Sequence, residues 1–223
     1  MNLSNRQIAQ ELGLNEDDTQ RMTEQRRTGI VASEPTPLLS GAVEGDAGYV
    51  VAGPQGSPAA VENKGRRRRK GAPGRGTREQ EKPPMLGIIE RGGRVGLRRL
   101  ENVPQQTIRP LIPAIIAPAT PVYPDEDDLY ARLTEWGYGH KTVCHRRGEY
   151  ARDEDGEGFH EGHVNPLLEG FWSLLRSWLR PPRGLSQEKL PLYLGFFQFV
   201  HNVRRRGRGL LPPMLSALLA GAV

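Results

Sequence analysis

The chain has 223 residues, 36% of them hydrophobic, and carries a formal net charge of +5 at pH 7 with a sequence pI near 9.6. The positive charge is concentrated in runs of arginine and lysine, which favours a polyanionic partner such as DNA. The single cysteine, Cys144, excludes an internal disulfide and predicts a reducing, cytoplasmic compartment. The sequence shows no leader peptide and no apolar run of about 20 residues, so we expect neither secretion nor a membrane partner.

Residues 1–32 are predicted to form two helices arranged like a helix-turn-helix. Ser4 is a candidate N-cap of the first helix, Gly13 ends it, and Asn15 is a candidate N-cap of the second. Ala9 followed four residues later by Gly13 has the spacing of a DNA-binding helix-turn-helix. An ordinary helical hairpin explains the same pattern, so the pattern alone leaves DNA binding by this segment open.

A proline-containing linker, residues 33–41, leads into a predicted strand at 42–52 that contains Asp46. Residues 53–84 are then rich in basic side chains and poor in apolar ones, which predicts a basic, mobile insertion. We expect it to contact DNA phosphates without reading the base sequence; a solvated loop and a nuclear-localisation signal are the alternatives. Its densest part is the run Arg66, Arg67, Arg68, Arg69 and Lys70.

Two strands at 85–90 and 94–100 are predicted to form a hairpin, because Gly92-Gly93 lies between them. A stripe of isoleucine and leucine then predicts a helix over 104–117. The remaining elements follow in the order strand, helix, strand, helix and helix: 121–125, 126–136, 141–144, 166–179 and 187–204. This alternation predicts an α/β fold with a mixed sheet flanked by helices.

Three acidic residues, Asp46, Asp125 and Glu169, stand out because each lies in a different local context. Asp46 lies on a predicted strand, Asp125 ends another, and Glu169 lies on a predicted helix. Carboxylates delivered in this way can converge on a pair of divalent cations that cut and rejoin phosphodiester bonds. Arg176 follows Glu169 by seven residues, almost two helical turns, so both face one side of the helix. Two of the three acids also have an ordinary explanation, since Asp125 could be an N-cap and Glu169 an acid favoured by the helix dipole.

Six stretches give the sequence a family resemblance. They are Val43-Glu44-Gly45-Asp46, Leu86-Gly-Ile-Ile-Glu-Arg-Gly-Gly93, Val122-Tyr-Pro-Asp125, His163-Val-Asn165, Glu169-Gly-Phe-Trp-Ser-Leu-Leu-Arg176 and Leu190-Pro-Leu-Tyr-Leu-Gly-Phe-Phe197. Through them the chain resembles insertion-sequence transposases of the DDE type, in the ISXO-like branch. Such enzymes have a ribonuclease H-like catalytic core. The most specific stretch is the octapeptide Glu-Gly-Phe-Trp-Ser-Leu-Leu-Arg, and the resemblance extends to about residue 206.

The resemblance implies that Asp46, Asp125 and Glu169 bind two Mg²⁺ or Mn²⁺ ions. Because members of the family differ in the residue at the third position, Asn165 remains a second candidate there. Arg176 occupies the place of a basic residue that touches DNA beside the active site. The implied activity is cleavage of DNA strands at insertion-sequence ends and their transfer to target DNA by a homo-oligomer.

The resemblance also sets the expected domain boundaries. The transposase catalytic domain spans 42–208, and a C-terminal tail follows at 209–223. Near the end of the domain, Arg204, Arg205 and Arg206 follow a predicted helix, where they suit both its dipole and the DNA backbone.

Several departures from the family pattern bear on activity. Ala47 and Gly48 stand where similar transposases have an acidic residue and a larger residue, and Gly48 is expected to loosen the strand. Pro124 replaces a small polar residue before Asp125. The spacing from His163 to Glu169 is one residue longer than usual, unless Pro166 starts the helix and the preceding loop absorbs the extra residue.

A further departure concerns the start of the sequence. Similar transposases begin with a cysteine-rich zinc ribbon, which we expect this chain to lack. The departures together support an alternative in which the chain is a catalytically inactive, truncated remnant that only binds DNA through its basic segments.

Overall fold

A computed structural model describes residues 3–33, 36–52, 82–101, 105–124, 133–140, 166–180, 185–204, 212 and 215. The predicted basic insertion, the helix at 126–136, the strand at 141–144 and the C-terminal tail fall wholly or largely outside these residues. In chain order the described elements are α1 (Asn5–Leu12), α2 (Glu16–Ser33), β1 (Val43–Tyr49), β2 (Pro84–Glu90), β3 (Val95–Arg99), α3 (Gln105–Ile108), α4 (Ile112–Ile115), β4 (Pro121–Pro124), a 3₁₀ turn (Thr134–Trp136), β5 (Gly139–His140), α5 (Pro166–Trp178) and α6 (Leu190–Arg204).

The chain forms two compact units. One comprises Met1–Pro35, Tyr49–Met85 and Leu174–Val223, and the other comprises Thr36–Gly48 and Leu86–Ser173. None of the helices in the described part of the chain combines the length and the hydropathy that crossing a bilayer requires.

The first unit contains the two N-terminal helices, whose ends confirm the sequence prediction. The Ser4 hydroxyl accepts the Gln7 N–H at 3.3 Å, and the Gln7 side chain accepts the Ser4 N–H at 3.0 Å, which forms a capping box. Gly13 ends α1 in the left-handed region at φ +66°. The Asn15 side chain accepts the Asp18 N–H at 2.7 Å and so caps α2.

Helix α2 packs against α6 within the same unit. Ile30 of α2 is buried together with Phe199 and Val203 of α6. The buried guanidinium of Arg27 lies 4.3 Å from the centroid of the Tyr193 ring, a cation–π contact. These apolar and aromatic contacts join the N-terminal helices to the C-terminal one.

Helix α6 begins at Leu190, three residues later than predicted. Residues 187–189 form a turn, in which the Ser186 hydroxyl accepts the Lys189 N–H at 3.2 Å. Ser186 therefore holds the turn that precedes the helix, a turn that the prediction had included in the helix.

The second unit is built around a five-stranded sheet in the order β3-β2-β1-β4-β5. Strand β1 is parallel to β4, and β4 is parallel to β5. The Glu90 N–H donates to the Arg94 carbonyl at 2.8 Å across the tight turn between β2 and β3, which makes these strands an antiparallel hairpin. The Arg91 N–H donates to the Ala42 carbonyl at 2.8 Å, so the end of β2 lies beside the start of β1. This mixed sheet with helices confirms the α/β prediction and has the strand order of a ribonuclease H-like core.

The predicted helix over 104–117 is wrong in one respect, because it is two short helices separated by a turn at 109–111. Pro110 lies in that turn, where its ring lacks an N–H and restricts the residue before it. The apolar stripe is nevertheless buried as expected, since Ile108, Ile112 and Ile115 are fully inaccessible. They pack against the sheet in a cluster that includes Leu39, Val43, Leu86, Ile88, Leu100, Ile116, Val122, Leu133 and Tyr138.

Two predicted boundaries also shift. Leu39, in the predicted linker, is fully buried and pairs with Ile116 in a parallel bridge. Strand β2 begins at Pro84, so the last residue of the predicted insertion belongs to the sheet.

Candidate active site

The pairing of β1 with β4 is the first feature of the candidate site. Val43 pairs with Val122, Glu44 with Tyr123, and Gly45 with Pro124. The next residues in sequence are Asp46 and Asp125, the first two predicted metal ligands. Asp125 lies outside the described residues, so the described register ends one residue before the two acids.

Asp46 is held from one side by a tryptophan of α5. The Nε1–H of Trp172 donates to Oδ2 of Asp46 at 2.7 Å. Asp46 is half-buried, whereas Trp172 is only 4% exposed. Because side chains alternate along a strand, Asp46 shares its face of β1 with Glu44 and Gly48. This face of β1 is therefore the one that meets α5.

Two glycines make room for the indole of Trp172. A Cβ atom built on Gly48 of β1 would lie 2.9 Å from the ring, and one built on Gly87 of β2 would lie 2.6 Å from it. Real side chains do not approach so closely, so only glycine permits the indole to lie against both strands in this position. We call Gly48 and Gly87 the glycine seat. Gly48, expected from the sequence to loosen the strand, thus has a packing role against Trp172.

Glu44 is a buried acid that the sequence reasoning missed as a functional candidate. It is 1% exposed, and its Oε1 lies 3.7 Å from Nε of Arg91. Burial raises the pKa of Glu44 above its ordinary value, although the Arg91 charge and the backbone N–H groups of Leu168 and Leu167 oppose the shift. Those N–H groups belong to the first turn of α5, where the helix dipole favours a negative charge.

A signal for Glu44 was available in the sequence. It precedes Asp46 by two residues, which places both acids on one face of a strand. Its Oε2 atom is buried and has no hydrogen-bond partner among the described residues.

Arg91 connects the two central strands of the site. Its guanidinium lies 4.4 Å from the centroid of the Tyr123 ring on β4, and its Nε lies 3.7 Å from Oε1 of Glu44 on β1. Glu44 and Tyr123 are register partners, and each precedes a predicted metal ligand by two residues. The arginine therefore bridges both strands directly before the predicted acids.

The bounds of helix α5, Pro166–Trp178, match the predicted helix at 166–179 to within one residue. Glu169 lies in its first turn and Arg176 in its last, and both side chains are exposed. Leu168, Phe171 and Trp172 are buried. Glu169 precedes Trp172 by three residues, which on an α-helix is about 60° around the axis and one turn towards the N-terminus. Glu169 thus borders the buried face of the helix one turn before the ring that contacts Asp46.

The structure describes only some of the predicted site residues. Asp46, Glu169, Arg176 and Arg204 are described, and Arg204 is exposed at the end of α6. The predicted residues outside the described part are Asp125, Asn165, Arg66, Arg67, Arg68, Arg69, Lys70, Arg205 and Arg206. Within the described part alone, no three His, Cys, Asp or Glu side chains gather as a metal site. Since Asp125 is outside that part, the predicted triad stays a prediction.

Comparison with known proteins gives two matches. A model described as the ISXO2-like transposase domain matches residues 38–202. The chain is also 31% identical over 222 residues to the "uncharacterized protein in transposable element ISH50" of Halobacterium salinarum (strain ATCC 700922 / JCM 11081 / NRC-1). That alignment covers 98% of this chain and 71% of the relative. The domain match starts just before β1 and ends within α6, so it includes the whole sheet, Asp46 and Glu169.

Proposed function

The chain belongs to the ISXO2-like transposase family, and from this membership we propose that it cuts DNA at insertion-sequence ends and transfers the cut strands to target DNA. Cutting is a metal-dependent hydrolysis of a phosphodiester that frees a 3′-hydroxyl, and strand transfer is a transesterification in which that 3′-hydroxyl displaces a target-strand oxygen. The observation that supports it best is the parallel register of β1 with β4, which ends at the pair Gly45 and Pro124.

Continuing this register by one residue would set Asp46 opposite Asp125. Neighbouring strands lie about 4.8 Å apart, and paired residues project from the same face of the sheet. Two carboxylates at such a separation would be able to hold divalent cations together. Glu169 would be the third ligand, on a helix whose Trp172 contacts Asp46 directly.

The donor set fits Mg²⁺ or Mn²⁺, because all three predicted ligands are carboxylates and hard cations prefer oxygen ligands. When bound, a pair of such ions activates the attacking water or 3′-hydroxyl and stabilises the leaving oxygen. The residues of the chain provide the geometry: Asp46 has an oriented, half-buried carboxylate. Arg176 lies on the helix of Glu169 and is proposed to contact a DNA phosphate.

DNA binding is proposed to depend on basic side chains that contact phosphates. Arg176 and Arg204 are exposed and available for this, and Arg205 and Arg206 follow directly in sequence. The run of residues 66–70 would add further phosphate contacts. Each such contact makes affinity more dependent on salt, with a slope of about −0.9 per phosphate neutralised. A homo-oligomer on DNA remains part of the proposal, as does DNA contact by α1 and α2.

Two features of the structure favour the active enzyme over an inactive remnant. Pro124 pairs with Gly45 in the regular register of β4, so this proline does not disrupt the strand before Asp125. Helix α5 begins at Pro166, as expected if the segment before the helix absorbs the extra residue predicted between His163 and Glu169.

The test is a nicking and strand-transfer assay with Mg²⁺ or Mn²⁺. Supercoiled plasmid reports nicking at any sequence, and duplexes from the element's ends report transfer. We expect Asp46→Asn and Asp125→Asn each to lower the rate at least about 100-fold, since each removes a ligand charge. Glu101→Gln, an exposed acid after β3, is the matched control and should leave the rate unchanged. If the wild type and Asp125→Asn are equally inactive but both still bind DNA, the result would support the alternative of a catalytically inactive remnant.

A further inference from the structure

We propose that Trp172 is a positioning residue that orients the Asp46 carboxylate for metal binding. The glycine seat fixes the indole so that its N–H meets Asp46 in one direction. This inference rests on the proposed function, because it assigns a role towards the cation that Asp46 would bind.

The hydrogen bond is short and specific. The indole Nε1–H is a donor only, and its 2.7 Å distance to Oδ2 is in the range of hydrogen bonds to charged acceptors. Trp172 is 4% exposed and Asp46 is half-buried, so water competes weakly for this donor. An N–H held on Oδ2 restricts rotation of the carboxylate about its Cβ–Cγ bond.

The direction of the N–H is set by packing. Gly48 and Gly87 allow the ring to lie against β1 and β2, and a Cβ at either position would occupy the space of the ring. The neighbouring Phe171 ring packs against the indole with centroids 5.7 Å apart. The donor is therefore in place before any cation arrives, which is the arrangement that fixes a metal ligand best.

The packing of α5 on β1 also determines where Glu169 lies relative to Asp46. Glu44 lies at the backbone N–H groups of Leu167 and Leu168, and Gly48 lies under the ring of Trp172. Asp46 lies between Glu44 and Gly48 on the strand, and Glu169 lies between Leu168 and Trp172 on the helix. Two contacts of β1 with α5 thus bracket the pair of predicted ligands.

The consequence for metal binding is directional. With Oδ2 engaged by the indole, we expect a cation to bind through Oδ1. Loss of a partner of this kind typically weakens metal binding about 10–100-fold. The loss of affinity should be greater for Mg²⁺ than for Mn²⁺, because Mg²⁺ demands near-ideal octahedral geometry.

The deciding variant is Trp172→Phe, which keeps an aromatic ring over the glycine seat and removes the N–H. Trp178→Phe, on the same helix, is the matched control. Calorimetric titration with Mg²⁺ and Mn²⁺ gives the dissociation constants, thermal unfolding reports folding, and the strand-transfer assay gives the half-saturating metal concentration. We expect Trp172→Phe to raise the Mg²⁺ dissociation constant about 10-fold or more and the Mn²⁺ constant less. Trp178→Phe should change neither.

A second measurement keeps the wild-type contact and does not depend on the folding of Trp172→Phe. In a chain with Trp136→Phe and Trp178→Phe, Trp172 is the only tryptophan. We expect its fluorescence to change on metal addition, and Asp46→Asn in that background should abolish the change.

The outcomes separate this inference from the proposed function. If Asp46→Asn abolishes metal uptake but Trp172→Phe binds both ions like wild type, the proposed role of Trp172 is overturned and the proposed function is not. A Trp172 fluorescence that does not respond to a metal the protein demonstrably binds overturns it too. Wild type that takes up no metal and cuts no DNA overturns the proposed function itself.

Discussion

Gly87→Ala is the perturbation that tests the packing of Trp172 most sharply. The added Cβ would lie 2.6 Å from Cη2 and Cζ2 of the indole, about 0.8 Å inside ordinary van der Waals contact at 3.4 Å. The contact is with a buried ring, which is itself packed and cannot rotate away as a flexible chain end would. Either the indole or strand β2 must therefore shift.

The magnitude follows from two opposing effects. Overpacking of a buried site costs about 1–3 kcal/mol, whereas replacing glycine by alanine in a strand gains roughly 0.5–1 kcal/mol of backbone entropy. The two ranges leave a net loss of about 0–2.5 kcal/mol, and because the Cβ would lie only 2.6 Å from the ring we expect about 1–2 kcal/mol in the free energy of unfolding. For a chain of this size that loss lowers the melting temperature by about 2–8 °C.

Urea denaturation and thermal unfolding measure the loss, and Gly170→Ala is the matched control. Gly170 lies on α5 with open space where its Cβ would be, so alanine there should stabilise by about 0.5–1 kcal/mol. If Gly87→Ala were as stable as Gly170→Ala, the indole could not lie against β2.

A double-mutant cycle identifies the clashing atoms. Phenylalanine lacks the outer part of the indole, which includes the Cζ2 and Cη2 atoms that approach Gly87. In a Trp172→Phe background, the cost of Gly87→Ala should therefore fall, with a coupling energy of about 1 kcal/mol or more. Additive effects of the two substitutions would contradict the contact.

Two predictions concern acids whose pKa values shift in opposite directions. The pKa of Glu90 is held below its ordinary 4.5 by the Arg94 guanidinium, which donates to both carboxylate oxygens at 2.7 and 2.9 Å. Above pH 4.5 the wild type should therefore be more stable than Glu90→Gln by up to about 1 kcal/mol. Urea unfolding should show that this difference in stability vanishes as the pH falls below 4.5. A difference that persists in acid would refute the ion pair. Burial raises the pKa of Glu44, so the stability of the wild type relative to Glu44→Gln should fall as pH rises above 4.5, and an increase instead would contradict that shift.

Much of the fold was predictable because its signals are local. Ser4, Gly13 and Asn15 define their helix ends through contacts with residues three or four positions away. Gly92-Gly93 defines the hairpin in the same way, and the apolar spacing of α5 gives its extent. Such signals depend on backbone propensity and capping, which act within a few residues.

What the sequence could not show is non-local. Trp172 and Asp46 are 126 residues apart in the chain, and no periodicity connects them. Gly48 and Gly87 individually suggest weak strands, and only the folded structure shows that both face one indole. For residues 104–117 the apolar spacing correctly predicted which side chains are buried. It did not predict that the helix is interrupted by a turn that contains Pro110.

Metal uptake through Asp46 and Asp125 is the property on which the proposed catalysis depends. Mg²⁺ and Mn²⁺ would be titrated calorimetrically into wild type, Asp46→Asn, Asp125→Asn and the exposed control Glu101→Gln, each with and without duplex DNA. We expect wild type and Glu101→Gln to bind metal alike, and each aspartate substitution to weaken binding at least about 10-fold. If the wild type takes up no metal, or if all four proteins take it up equally, the proposal that Asp46 and Asp125 bind metal is contradicted.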